Sequence, residues 1–231
     1  MATVRHRLDS GLHCPEATGV DESGEKELAD WAPMVLASAN PRLRTYLKPA
    51  MEFDARLARI VLSAKEPALA QIRLAWWRDE VSRQRADGDA LPSDPLLASL
   101  LETWTGHDAY LIRLVDGWEE LIGDPPWGQA PMEAFMKGRA GLFEAIAELS
   151  GNPQWASLAG RHGSIWALAD LANLGATELS RTTDLPRLPL ELRPLAIVGG
   201  LSRRALKRGG KPLFGDRLSP IVALRLGIFG T

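Results

Sequence analysis

The stretch from Glu66 to Gln84, EPALAQIRLAWWRDEVSRQ, constrains the fold more than any other part of the chain. Pro67 suits a first helical position, because its missing N–H would have no intrahelical partner there. No glycine or proline interrupts the run to Arg85, and Gly88 is placed to end it. At 100° per residue Leu69, Ile72 and Trp76 share one side, and Ala70, Leu74, Trp77 and Val81 widen it into a broad apolar arc. Arg73 and Glu80 fall in the middle of that arc, whereas Gln71, Arg78 and Ser82 lie opposite. Such a face predicts either a core helix whose Arg73 snorkels to its edge or a helix that lines a pocket.

Similar runs recur along the chain. Leu28 to Ala39 reads as a short helix, and Asn40-Pro41 as a cap and first residue opening a helix to about Ala64, with a kink expected at Pro49. Leu43, Leu47, Met51, Leu57 and Val61 form its buried side, with Asp54 among them. After the turn-rich ADGDALPSD come helices starting near Asp94-Pro95 and running from His107 to Ile122. Met132 to Leu149 places Arg139 among Phe135, Leu142 and Ile146. Asn152-Pro153 opens a long stretch toward Arg181, with interruptions expected near Gly160 and Gly163. Leu190 to Lys207 and Ser219 to Phe229 complete the set. No β alternation holds over a convincing length, so the expected fold is all-α: a single domain over residues 28–231 behind a poorly ordered lead-in, 1–27.

A chain of 231 residues with 45% hydrophobic content can bury one substantial core. Its formal charge of −2 gives no global pull toward nucleic acid, and no nucleic-acid partner is expected. Cys14 is the only cysteine, which excludes an intrachain disulfide or a cysteine-built zinc site. His6, His13, His107 and His162 are scattered, with no i,i+4 pair to seat a metal. No apolar run approaches the roughly 18 residues of a membrane span. The first 20 residues lack the apolar core of a secretory signal, while the basic, acid-free MATVRHRL is compatible with a transit peptide.

From Arg187 to Arg217 the basic residues Arg187, Arg193, Arg203, Arg204, Lys207, Arg208, Lys211 and Arg217 face only Glu191 and Asp216. This predicts a solvated face with helix C-terminal charges suited to the macrodipole, or else a site for a diphosphate or an anionic membrane surface.

IRLAWWRDEV, preceded by FDARLARIV, resembles the squalene/phytoene synthase family. FMKGRAGLF resembles that family's tyrosine-and-glycine helix, with Phe135 where tyrosine is usual. ANLGATELSRTTDLPRLP resembles its segment that runs from an asparagine to Leu-Pro. The resemblance extends from about Ala39 to the C-terminus and implies a helical bundle of isoprenoid-synthase type. It also implies two facing DxxxD motifs, whose carboxylates four apart on a helix would hold Mg²⁺ and, through it, a diphosphate. The first motif would begin at Asp54, but Ala58 stands four residues on. The second falls at Thr177 and Arg181, or at Ala176 and Ser180, and neither alignment gives an aspartate pair. Asn173, Thr177 and Arg181 would still make an i, i+4, i+8 stripe.

Three readings follow. The first is a non-catalytic relative without metal or other cofactor, binding a protein partner or an isoprenoid-like ligand. The family branch with degraded aspartate motifs, which includes an assembly factor for respiratory complex I, is the nearest within the resemblance. The second is a prenyl diphosphate transferase with Mg²⁺ on Asp54, Asp170 and Glu178. The third is an isoprenoid carrier. A cytoplasmic or membrane-peripheral location is expected, with the mitochondrial matrix as an alternative. The residues expected to line the cavity are Asp54, Arg73, Trp76, Trp77, Glu80, Arg139, Asn173 and Thr177. Because charges cannot stay unpaired in an apolar interior, Asp54 and Glu80 are expected to pair with Arg73 and Arg139. The alternative is that each side chain reaches solvent at a helix edge.

Overall fold

The computed structural model describes residues 28–83, 92–176, 184–214 and 218–229. The lead-in 1–27, Gly88, Thr177, Glu178, Arg181 and Arg217 lie outside the described residues. Within them the chain is all-helical and no strand is present.

Helix α1 spans Ala32–Ser38, α2 Pro41–Leu62, α3 Pro67–Ser82, α4 Pro95–Thr103 and α5 Asp108–Glu119. Helix α6 spans Gln129–Leu149, α7 Ala156–Asn173, α8 Arg193–Lys207 and α9 Ser219–Phe229. Proline opens α2, α3 and α4 at the first helical position. Asn40 caps α2 by accepting the Leu43 N–H at 2.8 Å, and Asp94 caps α4 by accepting from Leu96 and Leu97 at 2.9 and 3.0 Å. Pro49 lies inside α2 and does not end it.

Helices α5, α6, α7 and α8 pack each on the next. Helix α2 lies against α3, α4, α5 and α6, while α1 bridges α2 and α8, and α9 covers α8. One apolar core runs through the assembly from Trp31 to Leu226.

Two expectations about α7 are corrected. Gly160 and Gly163 do not interrupt it; Gly160 makes room for the Glu144 side chain and Gly163 for the neighbouring backbone. A Cβ on Gly163 would collide with the carbonyl of Arg139 and with Ala140, so α6 and α7 cross there main chain to main chain. The helix also stops at Asn173 rather than running toward Arg181. Gly175 adopts φ +101°, and the Ala176 N–H reaches back to the Leu171 carbonyl at 2.9 Å, a Schellman ending. Asn173 is exposed at that end, and the other two residues of the expected stripe, Thr177 and Arg181, lie outside the described residues.

The third correction concerns which part of the α3 arc is covered. Ala70, Leu74, Trp77, Glu80 and Val81 are buried, whereas Leu69, Ile72 and Trp76 are exposed. Arg78, expected on the outer side, bridges to α5 instead: its Nε donates to Asp116 at 2.8 Å and its other nitrogen pairs with Glu119. That pairing turns the far edge of the arc into solvent.

Candidate functional site

Charge enters the core at the crossing of α2, α6 and α7. Asp54 follows Leu47, Ala50 and Met51 along the inward face of α2 and is only 4% exposed. Arg139 projects from α6 and is 2% exposed. Its Nε donates to Oδ1 of Asp54 at 3.0 Å and its Nη2 to Oδ2 at 2.8 Å, a bidentate pair. Nη1 donates to Oδ2 of Asp170 on α7 at 2.5 Å. The indole Nε1 of Trp118, on α5, donates to Oδ1 of Asp54 at 2.9 Å. Four helices therefore meet in one hydrogen-bonded network.

Aromatic rings enclose the guanidinium. Its carbon lies 3.8 Å from the ring centroid of Trp166, 4.7 Å from Phe135 and 5.3 Å from Trp118. Those faces favour a cation. Burial pulls the Arg139 pKa down, but attraction to Asp54 and Asp170 outweighs it and holds the group above its ordinary value. Burial lifts Asp170 above the usual carboxylate value, against the pull of Arg139. Two carboxylates and one guanidinium leave the cluster formally one negative charge.

A cavity of about 230 Å³ opens on this cluster. Trp31, Met51, Ala55, Ala58 and Trp166 wall it, and Asp54, Arg139 and Asp170 lie at its polar end. Asp170 keeps 29% of its side chain exposed, so it is the acid in the triad that a solute can meet.

The network joins only two of the four charges expected to pair. Arg73 is exposed on α3 and does not enter it. Glu80 is buried but pairs within its own helix end, with Arg83 at 2.5 Å. Trp77 is buried against Phe53, with centroids 5.0 Å apart, and Trp76 sits outside it, 45% exposed. Neither tryptophan, nor Arg73, Glu80 or Asn173, lines the cavity.

Trp118, Trp166 and Asp170 complete the site, and their spacing held a signal. Gly163, Trp166 and Asp170 recur at i, i+3 and i+7, one face of α7 aimed at Arg139. A buried indole N–H such as that of Trp118 needs an acceptor, which pointed to an acid on a neighbouring helix. Among the described residues, no three acidic, histidine or cysteine side chains cluster as metal ligands. Comparison with known proteins finds no family model, no curated protein and no solved structure that matches this chain.

Proposed function

We propose that this is a non-catalytic protein of the squalene/phytoene synthase type, built on an isoprenoid-synthase bundle and acting by binding a protein partner. Assembly of respiratory complex I is the family role to which it comes nearest. The observation that carries this reading is the state of Asp54. Both of its oxygens accept hydrogen bonds from Arg139 and Trp118, so the carboxylate that heads the first motif already has its counter-ion. Mg²⁺ asks for near-octahedral oxygen ligands. At this place it would have to displace a guanidinium that is itself buried, at a cost of several kcal/mol for the charge left unpaired. The donor set does not fit a metal–diphosphate cluster.

The cavity supports the same reading. At about 230 Å³ it falls below the roughly 300–1,000 Å³ of ligand pockets, and two prenyl chains need more. A prospective docking surface lies instead on α3, where Leu69, Ile72 and Trp76 form an exposed apolar ridge beside Arg73. Tryptophan and arginine are the residue types that most often dominate binding at interfaces.

A prenyl diphosphate transferase is the second reading, favoured by the convergence of Asp54 and Asp170 from two helices. It requires Arg139 to leave. Incubating the protein with Mg²⁺ and prenyl diphosphates, and analysing the products by mass spectrometry, separates the two. No coupled product is expected; a head-to-head C–C product would overturn the proposal.

A further inference from the structure

Helix α9 is apolar on both sides. Its inner side, Ala223 and Leu226, is buried, and a Cβ on Gly200 of α8 would collide with Leu226. Its outer side carries Ile221, Leu224 and Ile228, with Leu218 just ahead of its first residue, and Ile221 and Leu224 are each 64% exposed. Leu218, Ile221, Leu224 and Ile228 follow one another by three or four residues as one ridge, with exposed Arg225 beside it. The only charge on the helix is Arg225. Contiguous exposed apolar surface of this kind marks a place of contact.

Charge on the neighbouring helix identifies what it contacts. Arg193 at the start of α8 donates to the Gly227 and Ile228 carbonyls at the end of α9, so the two helices run antiparallel. Gly200 marks the side of α8 that α9 covers. Arg204 and Lys207 lie four and seven residues further along that same side, level with the first half of α9. From Arg193 to the end, the chain holds Arg193, Arg203, Arg204, Lys207, Arg208, Lys211, Arg217 and Arg225 against a single acid, Asp216. The whole chain, by contrast, has a formal charge of −2. Positive charge in the sequence is thus concentrated in the segment that carries α8 and α9, and α9 exposes an apolar ridge. That combination matches a bilayer whose headgroups are anionic and whose acyl chains accept aliphatic side chains. No described helix is long and apolar enough to cross a membrane, so the contact is an interfacial one.

We infer that α9 docks the protein on anionic membranes, with Ile221, Leu224 and Ile228 inserting below the headgroups and the α8 basic residues, Lys207 foremost, holding the phosphates. The inference does not depend on the protein being catalytic or not. The test is flotation of the full chain with phosphatidylcholine vesicles, with and without phosphatidylglycerol. Binding is expected only with the anionic lipid, and should weaken as salt shortens the Debye length from about 10 Å at 0.1 M to about 3 Å at 1 M. Ile221→Ser/Leu224→Ser alters exposed positions and should leave the melting temperature unchanged while reducing partition by at least about tenfold. Lys207→Glu should reduce it by about fivefold or more. Four results would each overturn the inference: no binding at low salt; equal binding to neutral vesicles; unchanged binding by the double serine variant; or a self-association of the wild type that this variant abolishes, which would make the ridge a dimer contact.

Discussion

Arg139 and Arg73 are the same residue type in similar apolar sequence surroundings, yet they occupy opposite situations. Arg139→Met would leave the Asp54 carboxylate buried without its counter-ion, and a loss of about 3–5 kcal/mol in chemical denaturation is expected. Arg73→Met touches an exposed side chain, and a change within about 0.5 kcal/mol is expected. His162 supplies a pH dependence. It is 2% exposed, its Nε2–H donates to the Pro186 carbonyl at 2.9 Å, and its Nδ1, where it packs on Gly199, has no hydrogen-bond partner among the described residues. Burial, with further repulsion from Arg203 and Arg161, lowers its pKa from 6.5 to about 4. The unfolded chain therefore binds this proton more readily than the fold does, and stability falls as pH drops from about 6.5 to about 4. The full loss is about 3 kcal/mol. Denaturation midpoints across that range should show the slope in the wild type and a flatter one in His162→Gln. At this scale the sequence was half legible. Asp54 and Arg139 stood out because each breaks an otherwise apolar helix face. Asp170 was named only as a metal ligand of the transferase reading and not as a partner of Arg139, because α7 is buried on nearly every side and offers no apolar face for an acid to interrupt.

At the scale of elements, glycine governs how close the helices come. Gly163→Ala forces α7 off the Arg139 carbonyl, and the strain should cost about 1–3 kcal/mol. It should also loosen the Asp54–Arg139–Asp170 triad, since Arg139 is held from α6 and Asp170 from α7; thermal unfolding of the variant measures the first effect. Helix identities were largely readable from period, proline and caps, as at Asn40-Pro41 and Asp94-Pro95. Two elements were misread for distinct reasons. The end of α7 lies short of the expected Arg181 because Gly175, at φ +101°, ends the helix, and a glycine there is an ordinary stop signal. The rotation of α3 was not available from its own sequence, because its apolar arc is wider than any one neighbour can cover. A contact in another helix, Arg78 with Asp116 and Glu119, decides which edge stays outside.

At the scale of the molecule, the described residues form an all-α bundle around the charged cluster of Asp54, Arg139 and Asp170. The core was foreseeable from 45% hydrophobic content in 231 residues; the meeting of four helices on Asp54 and Arg139 depends on tertiary packing. The proposed function depends on Arg139 holding Asp54 and Asp170, so that neither carboxylate is open to a metal–diphosphate cluster. Isothermal titration calorimetry of the folded wild type with a prenyl diphosphate, in the presence and absence of Mg²⁺, addresses that claim most directly. No Mg²⁺-dependent heat is expected, because Arg139 already engages both oxygens of Asp54 and pairs with Asp170. Micromolar, Mg²⁺-dependent binding of the diphosphate would contradict it.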